Sequence, residues 1–197
     1  MRLRTIQIVL WSAALAATAA FSIWKLQEPP APAVLTETEF RPVFSLPDEA
    51  GQQRGSAEFR GRYLLVFFGF TNCPDVCPTT LSEVAQVMED LGSDAGQVQP
   101  IFISIDPERD RALGIDDYTA AFHPAILGLA GDQVATAAAA SSFRIYFERE
   151  EDDAAPDGYT MSHSPGLFLI GPDGQWLRQY AYGTPAEDIL SDLKERF

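Results

Sequence analysis

Residues 63–78, with the sequence YLLVFFGFTNCPDVCP, decide which kind of fold the rest of the chain must complete. Residues 63–70 form a continuous apolar run, which is typical of a β-strand buried on both faces of a sheet. Two cysteines, Cys73 and Cys77, come directly after the end of that strand. Apolar residues at helical spacing over 79–91 then predict a helix. This order of strand, loop and helix favours an α/β protein with its site at the carboxyl edge of the sheet.

The remaining chain continues the same alternation of strands and helices. We predict strands over 44–46, 101–105 and 143–147, helices over 110–122, 132–142 and 186–197, and a hairpin of 167–170 with 176–182 around the turn sequence GPDG. Strands that alternate with helices and end in a hairpin and a helix indicate a thioredoxin-like α/β fold. In that fold a central mixed sheet carries helices on both faces.

Composition limits the classes of function that the chain can have. It has 197 residues, of which 46% are apolar, 28 are acidic and 14 are lysine or arginine. The length fits one domain with an appendage, and the apolar share excludes a globally disordered chain. A formal net charge of −14 argues against nucleic-acid binding, because phosphate contacts need clustered Lys and Arg. A basic protein or a cation is compatible with this charge.

The first residues of the chain predict a membrane anchor. Residues 5–24 carry no charge, and 20 residues at about 1.5 Å rise each span the ~30 Å hydrocarbon layer of a bilayer. Arg2 and Arg4 precede this stretch, and the more positive end stays in the cytoplasm, so the rest of the chain is expected on the far side. The small residues at 17–19 leave a cleavable signal peptide as the alternative.

These signals divide the chain into three parts. We predict a single transmembrane helix or uncleaved signal over 1–26, a Pro-rich tether over 27–39 and the thioredoxin-like domain over 40–197. The expected location is the inner (cytoplasmic) membrane, with the domain on its periplasmic side.

Cys73 and Cys77 are more consistent with a reactive or metal site than with a structural disulfide. An exported domain often pairs its cysteines, but a bridge that closes so short a loop stabilises little. Three residues separate the two sulfurs, one more than in a thioredoxin-type redox pair. This spacing permits a disulfide and also lets two thiolates converge on one ion, for which soft metals such as Cu(I) or Zn are preferred. If Pro78 is the first helical residue, Cys77 lies at the helix N-terminus, which favours its thiolate.

A metal held by two sulfurs needs at least one further ligand. The candidates are His123, His163, Met88 and Met161. His163 is preferred, since it lies in a polar segment before the strand predicted over 167–170, where a thioredoxin-like layout faces the cysteine loop. His123 precedes Pro124 and is expected to be a surface or capping residue. Met161 is kept as a candidate fourth ligand, although Met usually fills gaps in packing.

Three blocks of this sequence resemble the Sco/SenC family of copper-binding, cytochrome c oxidase assembly proteins. They are FFGFTNCPDVCP at 67–78, FISIDPERD at 102–110, and the segment from His163 to GPDG at 171–174. The resemblance implies a thioredoxin-like fold in which Cys73, Cys77 and His163 bind copper, as Cu(I) or Cu(II). It also implies delivery of copper, or of reducing equivalents, to the binuclear copper centre of cytochrome c oxidase subunit II or its assembly intermediates.

Two functions therefore stay open. The first is a copper metallochaperone, which needs Cys73, Cys77 and His163. The alternative is a thiol–disulfide reductase that keeps the acceptor's cysteines reduced, for which Cys73 and Cys77 would be the catalytic redox pair and His163 dispensable. Whether the protein is an enzyme depends on which of these holds.

Four further residues or segments give expectations that a structure can test. Ser162 stands where the family commonly has Asp, which would alter the surroundings of the metal. Asp106 matches a hallmark of the family, and we expect it to end a strand and cap the segment after it. The Ser164–Pro165 bond is hypothesised to be cis, as in thioredoxins. The acidic residues 148–153, with Asp157, are expected to form a solvated mobile loop; the alternative is a patch that attracts copper ions or a basic partner.

Overall fold

The computed structural model describes residues 40–155 and 157–197, together with Gln7, Trp11 and Thr18, which are helical. The tether predicted over 27–39 and nearly all of the anchor predicted over 1–26 lie outside the described residues, so both stay predictions. Within the part of the chain that is described, no helix has the length and apolar character needed to cross a membrane.

The central sheet has five strands in the order β5 (Leu127–Leu129), β4 (Val98–Ser104), β3 (Tyr63–Gly69), β8 (Leu167–Ile170) and β9 (Trp176–Tyr180). Strands β3, β4 and β5 run parallel, whereas β8 is antiparallel to β3 and β9 to β8. Val66 of β3 lies between Ile101 and Phe168 in the register. The sheet is therefore mixed, as predicted, and the predicted hairpin of β8 and β9 is confirmed.

Two antiparallel hairpins lie outside the central sheet. Strand β1 (Ser45–Pro47) pairs with β2 (Gln53–Gly55), and β6 (Phe147–Glu151) pairs with β7 (Tyr159–His163). The strand predicted over 143–147 is wrong, because the strand only starts at Phe147. The loop expected over 148–153 is also wrong for its first four residues, since cross-strand pairing with β7 holds them extended.

Five α-helices complete the domain: α1 (Val76–Leu91), α2 (Pro107–Leu113), α3 (Ile115–Ala120), α4 (Gln133–Ser142) and α5 (Ala186–Lys194). The single helix predicted over 110–122 is divided, because Gly114 adopts a φ of 81° between α2 and α3. Helix α4 begins as predicted, with the Asp132 carboxylate accepting a hydrogen bond from the Ala135 N–H at 2.7 Å. Short 3-10 segments occupy Ser56–Phe59 and Gly92–Gln97.

Strand β3 is buried on both faces and ends at the edge of the sheet that leads into the cysteine loop. All residues from Leu64 to Gly69 are buried, and an aromatic cluster of Phe68, Phe143 and Phe168 covers part of the strand. At the carboxyl edge the Ile105 N–H, just after β4, donates to the Gly69 carbonyl at 2.9 Å. The chain leaves the sheet from this rigid edge into the loop that carries both cysteines.

Candidate metal centre

The cysteine loop brings both sulfurs together at the start of α1. Both cysteines are free thiols, Cys73 half-buried and Cys77 completely buried. The backbone N–H of Cys77 donates a hydrogen bond to Sγ of Cys73 at 3.3 Å. The loop itself is short and closed, since the Cys73 N–H donates to the Phe70 carbonyl at 3.3 Å. The prediction that the pair lies at the carboxyl edge of the sheet is confirmed.

Gly69, the last residue of β3, leaves the space that the buried sulfur occupies. A Cβ atom at this position would lie 2.8 Å from Sγ of Cys77, 2.8 Å from the Phe67 ring and 2.9 Å from the Phe102 ring. All three distances are shorter than side-chain packing allows. Cys77 can therefore pack against the end of the strand only because residue 69 has no side chain.

The two thiols have opposite protonation preferences. The pKa of Cys73 is lowered to about 6, chiefly because the Cys77 thiol donates a hydrogen bond to it, and backbone N–H groups of residues 75–77 add to the effect against burial. That same hydrogen bond and burial raise the pKa of Cys77. The sequence-based prediction that Cys77 is the thiolate is therefore wrong. Helix α1 begins at Val76, before Pro78, so its free N–H groups point back to residue 73.

His163 lies at the end of β7 and packs onto the last residues of the strand that leads to the cysteines. Its ring meets the rings of Phe67 and Phe70 edge to face, with centroids 6.2 Å and 6.3 Å away. Burial lowers the pKa of the imidazole, so the neutral, metal-binding form prevails at neutral pH. Nδ1 lies 3.1 Å from the Ser164 carbonyl. Because a carbonyl can only accept, the proton is on Nδ1 and the lone pair of Nε2 is free.

The three predicted ligands share one end of β3 but do not form a finished site. Among residues 40–155 and 157–197, no three His, Cys, Asp or Glu side chains are close enough to hold one metal ion together. Cys73 and Cys77 are thus linked by a hydrogen bond, whereas His163 contacts the rings of Phe67 and Phe70 beside them. Ligation by all three stays a prediction.

Of the other candidate ligands, His123 lies elsewhere, and the two methionines pack in or against the core. His123 lies before β5, at the opposite edge of the sheet, where its Nδ1 accepts a hydrogen bond from the Ala125 N–H at 3.1 Å. Met88 is buried in α1, and Met161 packs against the core from β7. These placements agree with the expectation that His123 is a capping residue and that Met fills gaps in packing.

Residues 33–197 match the SCO1/SenC family model. The chain belongs to the SCO1/SenC family. It is 40% identical over 153 residues to the mitochondrial SCO2 homolog of Mus musculus, an alignment that covers 77% of this chain and 60% of that protein. The chain thus spans less than two thirds of the length of this mammalian relative.

Solved Sco structures have the same fold. Bradyrhizobium japonicum ScoI with copper bound is 35% identical, with a TM-score of 0.72 over 80% of this chain and 99% of that one. BsSco is described as having a disulfide switch and as a member of the Sco family of cytochrome c oxidase assembly proteins. It is 25% identical, with a TM-score of 0.58 over 77% of this chain and 90% of that one. The predicted thioredoxin-like α/β fold with a mixed sheet is confirmed.

Asp110 of this Sco domain fixes the cysteine loop, a role that sequence reasoning did not assign. Its buried carboxylate accepts hydrogen bonds from the Thr71 N–H at 3.0 Å, the Thr71 hydroxyl at 2.7 Å and the Ser104 hydroxyl at 2.6 Å. Burial raises the pKa of this carboxyl, against the effect of these donors. Asp110 is the last residue of the FISIDPERD block, which marked it in the sequence as a residue of interest. Only the tertiary structure shows which groups it contacts.

Asp106 of the Sco domain does not have the capping role expected of it. It precedes α2, yet its side chain makes no capping hydrogen bond with the helix. The carboxylate instead accepts from the Tyr159 hydroxyl at 3.0 Å and pairs with the Arg109 guanidinium at 2.7 Å. Asp106 therefore connects α2 to the hairpin that carries His163.

The Ser164–Pro165 bond of the Sco domain is trans, so the cis prediction is wrong. No cis peptide occurs among residues 40–155 and 157–197. The trans segment is held from both sides, because the Ser164 N–H donates to the Tyr146 carbonyl at 2.9 Å and the Pro165 carbonyl accepts from Gln179 at 3.1 Å.

Proposed function

We propose that this Sco domain binds one copper ion through Cys73, Cys77 and His163 and delivers it to the binuclear copper centre of cytochrome c oxidase subunit II. The observation that carries the proposal is the Cys73 thiolate, whose pKa is lowered and which is hydrogen-bonded to Cys77 at the end of β3. The neutral His163 ring packs against the same end of that strand. The structural likeness to copper-bound ScoI supports it.

The donor set fits copper, as it would fit zinc, and does not fit hard cations. Two sulfurs and an imidazole are soft to intermediate ligands, which suit Cu(I) and Cu(II) and not Mg or Ca. Cys73 provides a thiolate at neutral pH, whereas Cys77 must release its proton when it binds the ion. His163 offers a free lone pair on Nε2 but must approach the sulfurs, since no three-ligand cluster is present among the described residues.

Delivery by ligand exchange is consistent with the exposure of the two sulfurs. Cys73 is half-buried, whereas Cys77 is wholly inaccessible. An acceptor thiolate would therefore reach the ion on the side of Cys73, replace that ligand first and then take over the ion. The copper keeps its oxidation state; Cys73 leaves the ion as a thiolate, whereas Cys77 takes up one proton from solvent when it leaves.

We also propose that this site works on the periplasmic side of the cytoplasmic membrane. The proposal rests on the uncharged stretch at 5–24, the positive residues before it and the Pro-rich tether over 27–39. Alkaline phosphatase fused after residue 197 should be active in a bacterial host, and deletion of 5–24 should abolish that activity. An active fusion without the segment would contradict the anchor and its orientation.

Copper content of the full-length chain tests the ligand assignment. We expect one copper per chain after anaerobic purification in detergent, and a thiolate-to-Cu(II) charge-transfer band after oxidation. Cys73→Ser and Cys77→Ser should each lose the band, and His163→Ala should lose copper or shift the band. His123→Ala is the matched control and should behave as wild type, because His123 lies at the opposite edge of the sheet. A His163→Ala protein with wild-type copper content and spectrum would falsify the proposed ligand set.

Thiol–disulfide reduction is the second candidate, favoured by the unequal thiol pKa values. The Cys73 thiolate would attack an acceptor disulfide and form a mixed disulfide while one acceptor sulfur leaves as thiolate. Cys77, on losing its proton, would then attack Sγ of Cys73, leaving the acceptor reduced by two electrons and the Sco domain with a disulfide. Metal-free protein should then reduce an oxidised acceptor peptide equally well with and without His163→Ala. Dependence on His163 would argue against this activity.

A further inference from the structure

The β6–β7 hairpin depends on side-chain contacts for its position in the domain. Within the described part of the chain it forms a separate two-stranded sheet with no ladder to the central one. Residues 148–151 of β6 are all exposed. An isolated two-stranded hairpin is marginally stable at best in water. Something other than backbone pairing must therefore hold β7, and with it His163, against the domain.

Three residues make the main polar contact between the hairpin and the domain. The Tyr159 hydroxyl of β7 donates to the Asp106 carboxylate at 3.0 Å. The Arg109 guanidinium pairs with Asp106 at 2.7 Å and lies over the Tyr159 ring, 4.2 Å from its centroid. The side chains of Arg109 and Asp106 are only 8% and 10% exposed. We call these three residues the clamp.

The clamp is built on the helix that also fixes the cysteine loop. Asp110 follows Arg109 on α2 and accepts two hydrogen bonds from Thr71, two residues before Cys73. One short segment, residues 106–110, therefore contacts the loop with the sulfurs on one side and the hairpin with the imidazole on the other.

We propose that Asp106, Arg109 and Tyr159 are positioning residues that set where His163 stands relative to Cys73 and Cys77. This rests on the proposed function, in which His163 is a copper ligand. Tyr159 and His163 are four residues apart on β7, so they lie on one face about 13 Å apart along an extended strand. A buried ion pair adds little net stability, but it restricts geometry because its partners must stay together. The clamp thus limits how far the imidazole end of β7 can move.

Tyr159→Phe in the full-length chain tests the clamp, because it removes the hydroxyl and keeps the ring under Arg109. In metal-free protein, we expect about tenfold faster amide hydrogen exchange along β7, with β3 and α1 unchanged, and shifted NMR resonances of the His163 imidazole. After copper loading, the Cu(II) EPR parameters should change and affinity for copper should fall about tenfold. Tyr146→Phe is the matched control, since its exposed hydroxyl donates to the nearby Glu148 carboxylate and not to Asp106.

The outcomes separate the clamp from the copper proposal. If wild type and His163→Ala bind copper identically, the proposed ligand set is wrong. The positioning role is still tested in that case, by the His163 resonances and the amide exchange of β7 in metal-free Tyr159→Phe. Unchanged resonances and exchange in that variant overturn the clamp, whatever copper does. Faster exchange with unchanged imidazole resonances and EPR parameters also overturns it, because the contact would then only stabilise the hairpin.

Discussion

The two sides of the candidate site are built in different ways. The cysteine side continues directly from β3, has Cys77 wholly buried and is fixed by three hydrogen bonds to Asp110. The histidine side is a separate hairpin with an exposed outer strand. The sulfurs are therefore positioned by the end of the central sheet, whereas the imidazole is positioned by side-chain contacts of the hairpin. In the proposed carrier, His163 is thus the ligand whose position depends on the clamp and not on the central sheet.

The largest expected effect on the rigid side comes from Asp110→Ala. It removes three hydrogen bonds to a buried carboxylate and leaves the Thr71 N–H without its partner. We expect the free energy of unfolding, measured in urea, to fall by about 3 kcal/mol. Glu108→Ala on the same helix is the control and should change it by less than about 0.5 kcal/mol, because Glu108 is exposed. Equal effects of the two variants would show that the cysteine side is not fixed in this way.

The next largest effect should appear in the reactivity of the two thiols. With a pKa of about 6, Cys73 is largely thiolate at pH 7, whereas the pKa of buried Cys77 is raised. Iodoacetamide should therefore modify Cys73 about 100-fold faster than Cys77 in metal-free protein, as read by mass spectrometry. The rate at Cys73 should fall as the pH is lowered through about 6, since the thiolate is then protonated. A faster reaction at Cys77 would reverse our assignment.

Gly69→Ala should have a smaller but distinct effect on the same side. The added methyl would lie 2.8 Å from Sγ of Cys77, so the sulfur or the adjacent rings must shift. We expect a loss of about 2 kcal/mol in the free energy of unfolding, by thermal or urea denaturation. Gly96→Ala is the control, as nothing lies within 4 Å of a Cβ at that position. Comparable losses in both variants would indicate a general glycine effect instead of crowding at the sulfur.

The smallest effect is expected on the hairpin side, where it should stay local. The Arg149 guanidinium lies 3.6 Å from the centroid of the Tyr159 ring on an exposed strand. Arg149→Gln should weaken the hairpin by about 0.5 kcal/mol, seen as roughly twofold faster amide exchange in β6 and β7. Global unfolding should be unchanged, as it should be for the exposed control Arg111→Gln. A matching loss of global stability would mean that the hairpin is part of the core unit.

The regions that could be predicted from sequence are those where burial alone decides structure. The apolar runs of β3 and β4 and the GPDG turn between β8 and β9 predicted these four strands correctly, whereas the short edge strand β5 was not predicted. Strand β6 could not be found in this way, because its charged residues are exposed and show no alternation. Its conformation depends on pairing with β7, which lies beyond a connection of several residues.

Details of the site escaped prediction for a related reason. Which cysteine is the thiolate depends first on the hydrogen bond between the two thiols and then on where α1 starts, and neither can be read from sequence. The contacts of Asp106 and Asp110 involve residues far along the chain, Tyr159 in the first case and Thr71 in the second. The residue types and their order indicated a site; only the tertiary structure shows what supports it.

Gly69 affects which ions the proposed copper site would accept. With no side chain at that position, the sulfur of Cys77 and the rings of Phe67 and Phe102 converge on the space that a Cβ would fill. A hard cation keeps part of its hydration shell, so surroundings of sulfur and aromatic rings bind it weakly. A soft, polarisable ion gives up its waters and binds the sulfur directly. In the proposed copper site, a residue that is not a ligand would thus help to select the ion.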